Sequence, residues 1–179
     1  QYRLTGVITK IDAKYNNNIN ISDFSGETYV YRLDLGGKEY KVGDIVTVVG
    51  KRGEYNGAQL ANGILESVIP VTPATIAEVL AKPDSSTDFF MVSGEITEID
   101  NPTYGNVYLK DGDDEIYVYG VYPGYGATGD FRKNLLAEKD IKVGDQLTVI
   151  GTKTTYTNTA GESTIQLTNG IYFSHESAE

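Results

Sequence analysis

The chain has 179 residues, 40% of them hydrophobic and 22% charged, which is enough for one large or two small cores, and no apolar run approaches a membrane span. It contains no cysteine, which excludes disulfides, thiolate metal sites and cysteine nucleophiles. Net charge is −10 and unevenly shared: residues 1–70 carry eight Lys/Arg against eight Asp/Glu, residues 71–179 seven against seventeen. An acidic surface repels phosphate backbones over roughly 8–10 Å at physiological salt, so nonspecific nucleic-acid binding is disfavoured for the second part and not for the first.

From the N-terminus, Leu4-Thr5-Gly6-Val7-Ile8-Thr9-Lys10-Ile11-Asp12 alternates as a strand whose positions 4, 6 and 8 face inward. It recurs as Val92-Ser93-Gly94-Glu95-Ile96-Thr97-Glu98-Ile99-Asp100, and the shared glycine suggests a bulge or bend that curls a long strand. Ile19–Asp23 and Glu27–Tyr31 read as a hairpin across Phe24-Ser25-Gly26; Val107–Asp111 and Glu115–Tyr119 repeat it across Gly112-Asp113-Asp114. Lys41-Val42-Gly43-Asp44-Ile45-Val46-Thr47-Val48-Val49-Gly50 is a turn followed by a fourth strand closed by glycine, and it returns as Lys142–Gly151. Val46/Leu147 and Val48/Val149 stay apolar while Ile45 becomes Gln146, so the Val46 and Val48 side points at the core. A fifth strand, Gln59–Ile64, recurs as Gln166–Ile171.

Between the copies lies Ile69-Pro70-Val71-Thr72-Pro73, a short proline-rich join. Thr75-Ile76-Ala77-Glu78 is a capping-box pattern that predicts a helix over 75–82, ending before Pro83. The second copy also carries an insertion in which Phe131, Leu135 and Leu136 predict one amphipathic helix near 130–138. The expected domains are therefore 1–70 and 71–179. Gln1 aligns with Phe89, so the first copy has no counterpart of the 75–82 helix, reads as N-terminally truncated, and is expected to have further sequence upstream.

Five strands in this order, with glycine in strand one, a turn ending in Asp after strand two and Gly-Asp opening strand four, resemble the OB-fold, in particular its nucleic-acid-binding branch. The resemblance covers nearly the whole chain twice. It implies an all-β protein with minor α, built as two tandem five-stranded OB-fold Greek-key barrels. This barrel type binds oligonucleotides, oligosaccharides and proteins. The Tyr-rich, acidic, cysteine-free version is also similar to OB modules of exported bacterial lipoproteins, which implies a cell-envelope or extracellular location.

In that family, ligand lies across strands two and three and bases stack on outward aromatics. The resemblance places Tyr31 and Tyr119 where related modules put a stacking residue, with Tyr29 and Tyr117 two positions earlier on the same side. An outward orientation is expected, because Ile116 and Val118 make the better core pair and a buried tyrosine must satisfy its hydroxyl. The candidate ligand-binding residues are Asn20, Tyr29, Tyr31 and Arg32 in the first copy, with Arg3, Lys51 and Arg52 as further cations. In the second they are Tyr108, Tyr117 and Tyr119, with Tyr104, Tyr122 and Tyr125 in adjoining loops. Single-stranded nucleic acid is the first expected partner. A glycan or protein ligand, suited to the acidic second copy, and a spacer role in a larger exported protein stay open.

Nothing in the chain composes an active site. The one histidine, His175, reads as a solvated tail residue, and no phosphate loop or nucleophile elbow occurs. Asp111-Gly112-Asp113-Asp114-Glu115 lacks the spacing of a calcium loop and falls at a hairpin turn. Asp12 and Asp100 end equivalent strands, where the expected role is capping of turn amides. The expectation is a non-catalytic binding protein with no cofactor and no metal.

Overall fold

The computed structural model describes residues 1–178. It divides into two compact units, Gln1–Pro70 with Gly124–Gly126, and Val71–Pro123 with Ala127 onward. Each holds one closed five-stranded barrel, so the tandem OB-fold architecture is the one the chain adopts. In barrel one, β1 (Tyr2–Ile11), β2 (Ile19–Asp23), β3 (Gly26–Tyr31), β4 (Ile45–Glu54) and β5 (Ala58–Ile69) lie in the order β1-β2-β3-β5-β4, and β4 pairs back on β1. The pairing of β3 with β5 is parallel, through Val30 and Leu60; the others are antiparallel.

Barrel two begins with β6 (Val71–Pro73) and α1 (Ile76–Leu80). Then come β7 (Phe89–Asn101), β8 (Asn106–Asp111), β9 (Asp114–Val118), the short β10 (Val121–Tyr122), α2 (Leu135–Glu138), β11 (Gln146–Thr157) and β12 (Ser163–Glu176). Parallel pairing of β9 with β12, Tyr117 to Gln166 and Val118 to Leu167, closes it. Among the described residues, no helix is long and apolar enough to cross a membrane.

The inward rows follow the alternation of the sequence. Val46, Val48, Leu147 and Val149 are wholly buried and Gln146 is exposed. Ile45 is buried as well, although it does not belong to the barrel's core cluster. The Val-Gly-Asp turn fastens the start of β4 to the middle of β1. Gly43 N–H donates to Ile8 O at 2.8 Å and Ile8 N–H to Asp44 O at 2.9 Å, and Gly144, Ile96 and Asp145 repeat both bonds. Gly43 and Gly144 both stand at φ +95°, a conformation open to glycine, and the buried Asp44 and Asp145 accept the N–H of Lys41 and Lys142.

Gly6 has a different role from the one expected. The bulge of β1 falls two residues later, between Ile8 and Lys10, with its counterpart between Ile96 and Glu98. What requires glycine at position 6 is close approach of β2, since a Cβ there would stand 2.5 Å from Ser22 O. Nor does Gly50 close strand four. β4 bulges there and runs on to Glu54, because a Cβ at Gly50 would meet Leu60 at 2.9 Å and the glycine lets the two strands coil past each other.

α1 opens with the full capping box: Thr75 Oγ1 accepts from Glu78 N–H and the Glu78 carboxylate accepts from Thr75 N–H. Ile76 and Val79 enter the core, and the buried Lys153 ammonium donates to the carbonyls of Leu80, the last residue of the helix, and of Lys82 just beyond it. The insertion is not the single helix expected near 130–138. A 3-10 turn over Gly129–Arg132 and the short α2 are separated by Asn134 in the left-handed region, φ +64°. Asn134 N–H donates to Thr103 O, which ties the break to the β7–β8 loop. Leu135 and Leu136 reach the core while Phe131 stays exposed, so the two halves face different ways.

Candidate functional site

Residues paired across neighbouring strands share a face of the sheet. In barrel one, the pairings place Lys10, Asn20, Tyr29, Gln59 and Gly53 in one row across β1, β2, β3, β5 and β4. The adjoining row holds Tyr31, Ala61 and Lys51. Val30, between the two tyrosines, is wholly buried in the core, so Tyr29 and Tyr31 face outward. Gly53 and Ala61 carry too little side chain to cover the rings.

The end of β3 adds a cation. Arg32 leaves the strand at φ +55°, its N–H held by the side chain of the buried Asn18 at 2.8 Å, and its guanidinium lies 5.0 Å from the Tyr31 ring centre. The nearby Glu27 carboxylate accepts hydrogen bonds from Thr9 Oγ1 at 2.6 Å and Asn20 Nδ2 at 2.8 Å. Asp12 accepts from the N–H groups of Lys14 and Tyr15, the turn-capping role expected of it, and these bonds hold its carboxyl below the usual range. Burial, then the Asp12 charge, raises the Tyr29 hydroxyl above its ordinary value.

The other expected cations are placed elsewhere. Arg3 pairs bidentately with Glu66 at 2.7 and 3.0 Å, and Arg52 stands in the row of Val30 and Leu60 at the edge of a separate cleft of about 210 Å³. Lys10, which joins the tyrosine row, was missed by sequence reasoning. Plain alternation from the inward Ile8 would turn it to the core, and the bulge between Ile8 and Lys10 is what brings it to the tyrosine side.

Barrel two builds the same rows with other chemistry. Glu98, Tyr108, Tyr117, Gln166 and Thr154 stand where Lys10, Asn20, Tyr29, Gln59 and Gly53 do. Buried Ile116 and Val118 turn Tyr117 and Tyr119 outward, as expected. The rings of Tyr108 and Tyr117 pack with centroids 4.8 Å apart at 46°. Asp100 does not cap the turn; Asn101 accepts the N–H groups of Thr103 and Tyr104 instead. That releases Asp100 to accept the Tyr117 hydroxyl at 2.8 Å. Asn106, the counterpart of Asn18, lies near the Tyr117 hydroxyl and opposes part of the rise in its pKa, and its own Oδ1 is buried without a hydrogen-bond partner. Burial, together with the Asp100 hydrogen bond and charge, pushes the Tyr117 hydroxyl up to about 12. Tyr108 is raised too, by burial and then by Asp100, Glu98 and Glu115.

These residues line a groove of about 490 Å³, formed by Asp100 and the outward rings of Tyr108, Tyr117 and Tyr119. Its far wall is Tyr156, Thr164 and Gln166 from β11 and β12, none of which sequence reasoning singled out for a site. The recurrence of Tyr55 as Tyr156 and of Gln59 as Gln166 was the available clue.

Beside the groove, the insertion delivers Arg132. Its guanidinium lies 4.7 Å from the Tyr104 ring centre, 5.3 Å from Tyr119 and 5.8 Å from Tyr122. Two of the three expected loop tyrosines thus surround an arginine, and Tyr125 does not join them. His175 is no tail residue: it lies on β12 opposite Leu147, its Nδ1 bonded to the Tyr172 hydroxyl at 2.8 Å. The carboxylate run is the two-residue hairpin turn between Asp111 and Asp114.

No family model matches the chain, and no curated protein matches it. Among solved structures it is similar to a murine DNA-binding protein bound to double-stranded DNA, with 9% identity, a TM-score of 0.36 and 95% of each chain covered. It is also similar to a multidomain protein with nucleic-acid-binding domains from Streptococcus pneumoniae, with 17% identity and a TM-score of 0.23. That match covers 92% of this chain and 44% of the streptococcal one.

Proposed function

We propose that the protein is a non-catalytic binding protein whose first barrel takes single-stranded nucleic acid across β2 and β3. The observation that carries this is the pair of outward rows, in which Tyr29 and Tyr31 alternate with small or polar neighbours and are flanked by Lys10, Lys51 and Arg32. Every base has a π-face, so a tyrosine platform binds without sequence preference, and each stacked base contributes about 1–3 kcal/mol. The cations supply the phosphate term, which salt weakens.

Glu27 and Asp12 stand near the platform, their carboxylates accepting from Thr9 and Asn20 and from turn amides respectively, and the three cations Lys10, Lys51 and Arg32 outnumber these two charges. The first unit also has equal numbers of basic and acidic residues in 1–70, unlike the remainder of the chain.

The test is fluorescence anisotropy of a labelled oligothymidylate titrated with the full chain at low and moderate salt. Binding should occur with a shallow salt slope and fall by at least about tenfold in the Tyr29→Ala/Tyr31→Ala variant. Affinity unchanged in that variant would remove the tyrosine platform, and no binding at low salt would remove the nucleic-acid reading.

A further inference from the structure

The groove of barrel two occupies the same position on its barrel but has lost the chemistry for phosphate. Where barrel one has Lys10, it has Glu98, and where barrel one has Lys51, it has Thr152, so the carboxylates both barrels share (Asp100 and Glu115 here, Asp12 and Glu27 there) lose the lysines that offset them. Arg132 is the nearest cation to Tyr119, and its guanidinium is enclosed by tyrosine rings. We infer that this groove binds an uncharged oligosaccharide, independently of what barrel one binds.

Three features select that class. The faces of Tyr108, Tyr117, Tyr119 and Tyr156 are negative, so they attract the polarised C–H groups on the flat side of a pyranose ring. The polar groups between the rings are mixed: Asp100 accepts, Thr164 and the tyrosine hydroxyls both donate and accept, and the Gln166 amide offers one group of each kind. A hydroxyl-rich ligand that itself donates and accepts matches that mixture, whereas an ammonium ion would use the acceptors alone. Finally, the volume of about 490 Å³ lies within the range of small-ligand clefts and leaves room for more than one ring.

The groove is also held in shape before any ligand arrives. Tyr117 is fixed by its hydrogen bond to Asp100, and Tyr108 packs on Tyr117. Its walls come from paired strands, so little side-chain ordering remains to be supplied on binding.

The experiment is a printed array of neutral oligosaccharides of the gluco, manno, galacto and xylo series, with a sulfated oligosaccharide and spermine as charged probes. Calorimetry of the full chain with the best neutral probe follows, at low and moderate salt. The expected result is retention of at least one neutral series, insensitive to salt and weakened about tenfold or more by Tyr156→Ala and by Asp100→Asn. Tyr156 is 57% exposed, so its truncation leaves the core intact, and thermal melts check the fold of both variants. The Tyr29→Ala/Tyr31→Ala variant should bind the sugar unchanged, which separates this result from the nucleic-acid reading. Binding of spermine alone, of the sulfated probe alone, or of nothing on the array overturns the inference. A neutral sugar whose affinity both variants leave intact overturns it as well.

Discussion

Arg132 lies across Gly120 so closely that a side-chain carbon at position 120 would stand 2.6 Å from Arg132 Nη1. Gly120 is the counterpart of Arg32 in the internal repeat, and both have positive φ, +82° and +55°. In barrel one the arginine at this left-handed position folds back over Tyr31. In barrel two the position is glycine, and an arginine carried by the insertion covers Tyr119 at nearly the same distance. The stacked guanidinium is thus reached by two different routes through the chain.

Gly120→Ala should therefore lower stability for two reasons. A side chain in the left-handed region costs roughly 1–2 kcal/mol, and the new methyl displaces Arg132 from its rings. Urea unfolding and the near-ultraviolet circular dichroism of the tyrosines measure the two effects separately. Arg132→Ala should change the tyrosine signal while leaving Gly120 unstrained.

Tyr117 and Tyr40 should titrate together near 12, well above an ordinary tyrosine at 10. For Tyr117 the folded-state value lies above the unfolded one, so the folded protein binds more protons between the two. Its contribution is fully present below pH 10 and is lost as pH rises toward 12. Asp100→Asn removes the charge and the acceptor carboxylate, and should bring the Tyr117 value back toward 10. Ultraviolet absorbance of the ionised phenol against pH measures this, and an unchanged titration in the variant would show that burial alone sets it.

Gly6→Ala and Gly94→Ala occupy equivalent positions and should differ. At Gly6 the added carbon meets a backbone oxygen at 2.5 Å, which cannot give without moving β2, and the cost should fall at about 1–3 kcal/mol. At Gly94 the nearest atoms, in Leu109 and Lys110, are 3.0 Å away, so a smaller shift suffices. Chemical denaturation of the two variants orders them, with Gly6→Ala the less stable.

Lys10→Glu installs in barrel one the residue that barrel two carries. Oligonucleotide binding should weaken and its dependence on salt should become shallower, because one fewer counterion is released per complex. Anisotropy at several salt concentrations gives both quantities. A loss of affinity with an unchanged slope would place Lys10 away from the phosphates.

Much of this protein was legible in its sequence. The repeat, the strand order, the inward rows of Val46 and Val48 and the outward tyrosines follow from alternation, since residues two apart on a strand must share a face. The capping box of α1 was equally local, because its donors and acceptors lie within one turn of chain. The insertion was misread for a related reason: Phe131, Leu135 and Leu136 have helical spacing, but Asn134 N–H finds a partner in Thr103, far away in sequence, and the helix breaks there. The same limit governs the sites. Local pattern gave the tyrosines of β3 and β9. Register across the sheet decided that Lys10 joins Tyr29, that Arg3 is taken by Glu66, that Asp100 serves Tyr117, and that Tyr156 and Gln166 complete a groove. Those partners are set by barrel closure, which brings together strands that the sequence separates by many residues, so only the tertiary structure could assign them.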